Sequence, residues 1–437
     1  MKKVLYIAYY WPPAGGIGIV RNMKFIKYCR QFGWEPVVYA PLNASYPIVD
    51  ASTEKDFPEN VAIIRRPIFE PYSFFNKLKG KAKTEKVKDV FLNKDSSHSL
   101  SHKLGIWLRA NFFIPDARAF WIKPSIQYLK EYIKQNPVDA IISYGPPHSM
   151  HIIAMELQKE FDIPWISDWQ DPWSEIDYFT KFPMTKMAEQ KHLRLEKEVI
   201  TKADKLVMVS KNWCKDLEKL SNRTVDYIPF GYDNDDFANI PTQHNPYFTI
   251  SHFGTFGVDR NPNMLWQALS ELSNEITGFA AKLKLHIAGY VAHDVLEAIR
   301  RYGLQNNLNY QEQIPKNDLF KYYVSSSVQL VLINVPDEGI PYNNKGRIPA
   351  KLFECVRSLK PILVIGPEDG DVANIVAETQ TGVTCNYTDV GKMKTIIKQW
   401  YSDWEQNIPS TNPVNIEQFS YEKLTQKFTA LLDEISQ

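Results

Sequence analysis

Cysteine is scarce in this chain and long apolar runs are absent. The four cysteines, Cys29, Cys214, Cys355 and Cys385, are scattered among 437 residues and form no Cys-x-x-Cys pair. This spacing argues against a disulfide framework and against a zinc site. No HExxH motif is present. Asp369-Gly-Asp371 is a D-x-D pattern of the kind that can hold a divalent ion, but it follows Ile365-Gly-Pro367, where a turn is favoured, so we expect no metal. Reduced thiols favour a cytoplasmic location. No run of about 18 apolar residues occurs, so no membrane-spanning helix is predicted.

The remaining composition is that of a folded protein with more than one core. Hydrophobic residues make up 44% and charged residues 23%, which excludes a disordered chain. The 19 glycines and 28 prolines exclude a collagen-like one. Single cores stop growing near about 250–300 residues, so 437 residues predict two domains.

The net charge of +1 conceals an asymmetry along the chain. Residues 1–230 carry a net charge of +8 and residues 231–437 a net charge of −7. Much of the basic excess lies in seven lysines between Lys77 and Lys94. This segment is either a solvated loop or a site of peripheral attraction to an anionic membrane, such as the inner face of the cell membrane. No nucleic-acid-binding module is present, so nucleic acid is not expected as a partner.

Strand, loop and helix patterns alternate along the chain. This rhythm predicts an α/β fold with two Rossmann-like, doubly wound parallel-sheet domains. We place the first domain at residues 1–235 with a basic insertion at about 70–115, the second at 236–418, and a final helix at 419–437. The predicted strands are Val4–Tyr10, Glu35–Ala40, Val61–Arg65, Ala140–Tyr144, Trp165–Asp168, Leu206–Ser210, Thr249–Phe253, Leu283–Ala288, Val328–Ile333, Pro361–Ile365 and Gly382–Asn386.

Ligands of such sheets lie beyond the carboxyl ends of the strands, and with two sheets we expect a cleft site. After the first strand, Gly15 and Gly16 allow backbone amides to approach an anion at a helix start, or merely form a turn. Arg21 follows at the start of that helix and is placed to reach the same cleft. No GxGxxG motif is present.

Two further loops of the first domain carry polar side chains. His148 follows Pro146 and Pro147, which stiffen its loop, and a neutral imidazole there hydrogen-bonds a sugar hydroxyl or shuttles a proton. Asp168, Asp171 and Trp173 combine carboxylates with an aromatic face, a pairing suited to carbohydrate. Asp171 alternatively caps the next helix.

In the second domain, two loops bring cations towards helix starts. Gly254 and Thr255 lead to Arg260, which suits a pyrophosphate clamp. Lys351 and Glu354 lie in a predicted first helical turn, where they either pair with each other or serve a nucleotide. In the second case Lys351 neutralises phosphate and Glu354 accepts hydrogen bonds from ribose hydroxyls.

The order of these motifs resembles that of retaining glycosyltransferases of family 4, a bacterial polysaccharide-type subgroup with the GT-B architecture. The resemblance covers nearly the whole chain. It rests on Tyr10-Trp-Pro-Pro-Ala-Gly-Gly-Ile-Gly18 with Arg21, Gly33-Trp-Glu-Pro-Val37, Ile114-Pro-Asp-Ala-Arg118, Gly145-Pro-Pro-His148, Asp168-Trp-Gln-Asp-Pro-Trp173, Ile228-Pro-Phe-Gly231, Gly254-Thr255, Arg260-Asn-Pro262 and Pro349-Ala-Lys-Leu-Phe-Glu354.

The resemblance implies transfer of a hexose-type sugar from a nucleoside diphosphate sugar to a hydroxyl acceptor, a glycan or a lipid-linked molecule, with retention of anomeric configuration. It assigns the acceptor to the first domain, with Arg21, Asp168 and Trp173, and the nucleotide to the second. His148 and Asp171 are the candidate catalytic residues. Fixed cations stabilise the leaving diphosphate, so neither a metal nor a cofactor is required.

One departure from the family pattern concerns the donor sugar. The family often has a glutamate eight positions before the residue that matches Glu354, and here that position is Gly346. Glu338, in the same loop, is a possible substitute. Three alternatives therefore stay open: a nucleotide-sugar 2-epimerase with the same two-lobed plan, a catalytically silent scaffold of a polysaccharide-assembly complex, and, least favoured by the glycine spacing, an NAD-dependent dehydrogenase.

Overall fold

The chain forms two compact units. The structure, a computed structural model, describes residues 1–50, 53–54, 57–70, 100–177, 179–241, 245–335 and 343–437. The first unit is Met1–Pro229 together with Tyr421–Gln437, and the second is Phe230–Ser420. Most of the predicted basic insertion, including Lys77–Lys94, lies outside the described residues, as does Glu338. No described helix is long and apolar enough to cross a membrane.

The first unit contains a seven-stranded sheet in which all neighbouring strands are parallel, in the order β3-β2-β1-β4-β5-β6-β7. Burial on both faces explains the nearly continuous apolar runs of its central strands. Its strands are β1 (Lys2–Ile7), β2 (Trp34–Pro41), β3 (Ala62–Arg66), β4 (Ala140–Gly145), β5 (Trp165–Trp169), β6 (Lys205–Met208) and β7 (Asp226–Tyr227).

Helices connect these strands and cover the sheet. They are α1 (Ile17–Cys29), α2 (Leu100–Phe112), α3 (Ala119–Gln135), α4 (Ser149–Phe161), α5 (Lys186–Lys202) and α6 (Lys211–Ser221), followed at the chain end by α14 (Tyr421–Ile435). The last helix packs into the core of the first unit through Leu424 and Phe428, whose ring centroid lies 5.0 Å from that of Phe25. The apolar face of this helix therefore belongs to the core of the first unit, although the second unit lies between them in the chain.

The second unit has a six-stranded parallel sheet in the order β10-β9-β8-β11-β12-β13. Its strands are β8 (Phe248–Phe253), β9 (Leu283–Ala288), β10 (Leu308–Gln311), β11 (Val328–Leu332), β12 (Ile362–Ile365) and β13 (Gly382–Cys385). Its helices are α7 (Asn263–Glu275), α8 (Phe279–Lys282), α9 (His293–Arg301), α10 (Lys316–Ser325), α11 (Lys351–Arg357), α12 (Asp371–Glu378) and α13 (Val390–Glu405).

The predicted α/β, doubly wound fold class is confirmed, and two strands were missed. Strand β7 is two residues long, and β10 is a partly exposed edge strand with the sequence Leu-Asn-Tyr-Gln. Neither has the apolar run by which buried parallel strands are recognised. The other predicted strands differ from the observed ones by up to three residues at either end.

Each sheet has one point where the strand order reverses. The loops at this point are the expected ligand-binding loops. In the first unit it lies between β1 and β4, and in the second between β8 and β11. Ligands of open parallel sheets bind outside the carboxyl ends of the strands at this position. The loops that follow β1 and β4 contain Gly15 and His148, and the loop that follows β8 contains Gly254.

Candidate functional site

The loop after β8 turns sharply at an exposed glycine. Gly254 has a φ of +120°, a backbone conformation that residues other than glycine rarely adopt. Its amide donates to the Ala288 carbonyl at 2.7 Å, so this N–H belongs to the fold and is not available to an anion. Thr255, next in the chain, is exposed.

Lys351 brings an ammonium group to this turn. It is the first residue of α11, and its Nζ lies 3.0 Å from the carbonyl oxygen of Phe253 and 3.0 Å from Nε2 of His252. A Cβ placed on Gly254 would lie 3.7 Å from the same Nζ. Burial lowers the pKa of Lys351 to about 7, so its charge is only marginally stable without a nearby anion.

Arg260 and Glu354 act on the charge of Lys351 in opposite directions. Arg260 contributes to the lowered pKa of Lys351, whereas Glu354, one turn along α11, opposes it. The Arg260 guanidinium is 23% exposed and pairs with its neighbour Asp259 at 3.0 Å. The candidate donor residues of the second unit are therefore His252, Gly254, Arg260, Lys351 and Glu354.

In the first unit, His148 stands at the N-cap position of α4 and is 7% exposed. Burial, together with His151 and His192, lowers its pKa well below the ordinary value, so the imidazole is neutral. Its ring stacks on Trp173, with centroids 4.5 Å apart and planes at 7°.

The stacking corrects the prediction for Trp173. One face of its indole is covered by His148, and its N–H donates to His192 Nδ1 at 3.1 Å. The side chain is 3% exposed, so it supports His148 and does not offer an open aromatic surface to a sugar.

The predictions for Arg21 and Asp168 are also corrected. Both side chains are completely buried and bonded to each other, with Arg21 Nη2 3.0 Å from Asp168 Oδ1 and Nε 3.1 Å from Oδ2. Arg21 also donates to the carbonyls of Ile228 and Pro229. A buried charge requires a partner of opposite charge, and the Arg21 guanidinium and the Asp168 carboxylate are each other's partner. The pair joins α1 to β5 within the core, so neither side chain is left to bind an acceptor.

The glycine turn after β1 is likewise part of the scaffold. The Gly15 amide donates to the Ile48 carbonyl at 2.9 Å, and Ala14 forms an antiparallel bridge with Val49. The predicted anion contact through the Gly15 amide is therefore replaced by a backbone bond. Gly16 is exposed, has a φ of +87° and directly precedes α1.

Sequence reasoning overlooked a polar network beside the start of α4. Asp116 accepts from the Ser149 amide at 2.8 Å and from its hydroxyl at 2.9 Å. Arg118 lies over the Tyr9 ring, 4.2 Å from the centroid, and donates to its hydroxyl at 2.9 Å. Tyr9 in turn donates to Glu70 at 2.6 Å. The motif Ile114–Arg118 had indicated this region without identifying these contacts.

The loop after β5 carries Asp171, which is partly buried. Farther along this loop, the Ser174 amide donates to Glu196 of α5 at 3.2 Å. Burial raises the pKa of Glu196 to about 7. The loop is thus anchored to α5 through the Glu196 carboxyl group, which sequence reasoning did not identify.

No group of three or more histidine, cysteine, aspartate or glutamate side chains able to hold a metal ion occurs among the residues that the structure describes. All four cysteines are buried free thiols. The predicted independence from metal stays a prediction.

Comparison with known proteins identifies the fold. No protein-family model and no curated protein sequence matches the chain. The solved structures that it resembles include HepE of Anabaena in complex with UDP-glucose, with 12% identity, 99% of this chain and 100% of that chain covered, and a TM-score of 0.60. An α,α-trehalose-phosphate synthase (UDP-forming) from Burkholderia vietnamiensis matches with 12% identity, full coverage of both chains and a TM-score of 0.59.

A putative UDP-N-acetylglucosamine 2-epimerase from Listeria monocytogenes also matches, with 10% identity, 99% and 96% coverage and a TM-score of 0.55. At these identities the comparisons establish a shared fold. The chain has the GT-B fold, as its motif order had predicted.

The Arg21–Asp168 pair generates a stability prediction. We expect Asp168→Asn to lower the free energy of unfolding by about 3–5 kcal/mol, because it leaves the Arg21 charge buried and uncompensated. Glu35→Gln is the matched control, since the Arg30–Glu35 pair is partly exposed and is worth at most about 1 kcal/mol. Urea denaturation measures both, and a loss below about 1 kcal/mol for Asp168→Asn would contradict the buried pair.

Proposed function

We propose that the protein is a retaining glycosyltransferase that moves a sugar from a nucleoside diphosphate sugar to a hydroxyl acceptor, and that the second unit binds the donor. The observation that carries the proposal is the position of Lys351. Its ammonium lies within hydrogen-bond distance of the Phe253 carbonyl, beside the exposed Gly254 turn. This is the point of the sheet where ligands of open parallel folds bind.

The chemistry of sugar transfer requires a fixed positive charge at this place. The bond between the anomeric carbon and the β-phosphate oxygen breaks, and a bond to the acceptor oxygen forms. The electron pair of the broken bond remains on the diphosphate, which gains negative charge and takes the acceptor proton. Lys351 and Arg260 stabilise that charge, and burial around Lys351 strengthens the attraction. Glu354 accepts from ribose hydroxyls, and Thr255 is a further donor-side contact.

On the acceptor side we propose roles for His148 and Asp171. A neutral imidazole both donates and accepts hydrogen bonds, so His148 orients a sugar hydroxyl without adding charge. The stack on Trp173 fixes the plane of its ring. Asp171, in the neighbouring loop after β5, accepts hydrogen bonds from sugar hydroxyls. Gly16, which is exposed and directly precedes α1, stays the candidate backbone-amide contact for an anion.

Uridine is the first base to test. The relatives in fold include a protein solved with UDP-glucose and one described as UDP-forming. Because these proteins share only the fold with this chain, their ligands serve to choose UDP-glucose as the first probe. We propose no metal requirement, because Lys351 and Arg260 already provide the positive charge that the diphosphate needs.

A lipid-linked acceptor in cell-surface polysaccharide synthesis would place the enzyme at the inner face of the membrane. Helix α2 supports this through an exposed apolar surface formed by Leu104, Trp107, Leu108 and Phe112, which are 39–64% exposed. Lys103 and Arg109 lie on the same helix. Exposed aromatic and aliphatic side chains next to basic ones are typical of helices that bind an anionic interface.

The donor assignment predicts that Lys351→Ala weakens UDP-glucose binding at least about tenfold at about pH 6.5, because it removes a charge-assisted hydrogen bond. Isothermal titration calorimetry measures the change. Lys394→Ala is the control, since Lys394 pairs with Glu271 and Glu275 at the surface of the same unit. Equal affinity of both variants would refute the role of Lys351.

The transfer reaction is separated from epimerisation by its need for an acceptor. We expect UDP release from a UDP-sugar only when a hydroxyl acceptor is supplied, and with retained anomeric configuration in the product by NMR. Excess EDTA should leave the rate unchanged. Conversion of the sugar at C2 without an acceptor would support the 2-epimerase instead, and donor binding without any turnover would support the silent scaffold.

The membrane proposal predicts more binding to vesicles that contain phosphatidylglycerol than to neutral vesicles, as measured by sedimentation. Leu104→Ser combined with Trp107→Ser should lower binding at least about tenfold, because each side chain contributes about 1.5–3 kcal/mol when buried. Leu220→Ser is the control, since Leu220 is an apolar residue with 44% exposure on α6. Equal partition to both vesicle types would reject the electrostatic contribution.

A further inference from the structure

We propose that the first unit takes as acceptor a saccharide linked through phosphate to a lipid, and that the lipid chain lies across Phe69 and Phe120. This assignment rests on the proposed transfer reaction, which it extends by naming the class of acceptor. It concerns a surface other than that of α2, on which the membrane proposal depends. Three observations support it: an exposed aromatic pair, a polar network beside the pair, and the sign of the surrounding charge.

Phe69 and Phe120 form an exposed aromatic pair at the end of the first sheet where its strands finish. Phe69 follows β3 and is 58% exposed, and Phe120, in the first turn of α3, is 48% exposed. Their ring centroids lie 5.9 Å apart with planes at 82°, and the Phe113 ring lies 5.5 Å from that of Phe120. Single exposed apolar side chains are ordinary, whereas a contiguous apolar patch marks a binding surface.

Further exposed apolar side chains lie at the same end of the sheet. Leu42 directly follows β2 and is 58% exposed, and Ile48 and Val49 of the same loop are 51% and 66% exposed. This loop is joined to the segment after β3, because the Asn43 side chain bonds both the amide and the carbonyl of Ile68. Ligands of parallel sheets bind at the carboxyl ends of the strands, so apolar side chains surround the place where a substrate is expected.

A polar network begins directly beside the aromatic pair. Glu70, the neighbour of Phe69 in the chain, accepts from the Tyr9 hydroxyl at 2.6 Å. Arg118, two residues before Phe120, donates from Nη2 to the same hydroxyl at 2.9 Å. Apolar and hydrogen-bonding groups therefore adjoin each other on this surface, which is the arrangement that an amphiphilic substrate requires.

The network reaches the candidate catalytic histidine in two further contacts. The Arg118 amide donates to Asp116 at 2.8 Å, and Asp116 accepts from the Ser149 amide at 2.8 Å. Ser149 is the first residue of α4 and directly follows His148. A saccharide at His148 therefore lies a short chain of contacts from the aromatic pair, so one acceptor can occupy both places.

The charge around the aromatic pair favours an anionic linker between saccharide and lipid. Residues 100–123 contain one carboxylate, Asp116, and four cations, namely Lys103, Arg109, Arg118 and Lys123. Nε of Arg118 is buried and has no hydrogen-bond partner among the residues that the structure describes, although Glu70 supplies a counter-charge at 3.5 Å. The guanidinium therefore keeps unused hydrogen-bonding capacity, and phosphate matches its geometry.

The same charge argues against a second copy of this chain as the occupant. In a symmetric dimer the patch would meet itself, so its cations would face their own copies and repel each other. A phosphate-linked lipid instead provides an apolar chain for Phe69 and Phe120 and an anion for Arg118.

Calorimetric titration with monomeric decyl phosphate tests the assignment, because this probe joins an apolar chain to a phosphate. Decyl maltoside, which has the same chain on a neutral saccharide, and methyl phosphate, which lacks the chain, are the comparison probes. We expect decyl phosphate to bind as one molecule per protein chain, and at least about tenfold more tightly than either comparison probe.

Variants locate the bound probe. Phe69→Ser combined with Phe120→Ser should weaken decyl phosphate binding at least about tenfold, because the chain loses its apolar contacts. Leu193→Ser combined with Leu220→Ser is the matched control, since these leucines are 45% and 44% exposed elsewhere on the first unit. Arg118→Gln should bring the affinity for decyl phosphate close to that for decyl maltoside, because the phosphate loses its guanidinium.

The outcomes distinguish this inference from the proposed function. If UDP-glucose binds but decyl phosphate binds no more tightly than decyl maltoside, the inference is overturned and the donor site stands. The same conclusion follows if the Phe69 and Phe120 double variant binds decyl phosphate as tightly as its leucine control. If decyl phosphate binds as expected while UDP-glucose, UDP, GDP and ADP all fail to bind, the proposed function is wrong and the lipid surface stands. If Arg118→Gln does not fold, as judged by thermal unfolding, the comparison of the two decyl probes on the wild type decides the role of charge.

Discussion

A partly buried ammonium group must be compensated, and the second unit compensates Lys351 only in part. Its Nζ donates to the Phe253 carbonyl oxygen and lies 3.0 Å from Nε2 and 3.4 Å from Nδ1 of the neutral His252 ring, and Arg260 contributes charge of the same sign nearby. Neutral groups stabilise a buried charge less than an anion does. The site is therefore electrostatically prepared for a negatively charged ligand, and the position beside the exposed Gly254 turn gives that ligand room to approach. The proposed donor site depends on this incomplete compensation.

In the first unit, by contrast, the buried charges of Arg21 and Asp168 are fully compensated. Arg21 and Asp168 satisfy each other inside the core, and backbone carbonyls take further guanidinium hydrogens. Such a pair contributes to the integrity of the fold and offers nothing to a ligand. The groups of the first unit for which we propose a role in the reaction are neutral or lie in loops, namely His148 with its stacked Trp173 and the partly buried Asp171. This division fits a reaction in which one partner is a dianionic diphosphate and the other an uncharged hydroxyl.

The sequence predicted the fold class because parallel strands with both faces buried have apolar runs that are easily recognised, as in Ala140–Gly145 and Ile362–Ile365. It also selected Gly254 and Lys351, since both lie where a strand or a loop meets the next element, and their assignment to the donor stays a prediction. It could not decide whether a charged side chain faces a ligand or another part of the core. Arg21 finds its partner 147 residues away, and this pairing leaves no local pattern. His252 was overlooked because a histidine inside an apolar strand resembles an ordinary core residue, although its place just before the Gly254 turn was a usable signal.

The most direct test of the central claim is a crystal structure of the protein with UDP-glucose bound. The account predicts a diphosphate oxygen at about 2.8 Å from Lys351 Nζ, with the contacts of that Nζ to His252 and to the Phe253 carbonyl retained. A complex in which the diphosphate lies elsewhere, while Lys351 keeps its present contacts and touches no phosphate, would contradict the account.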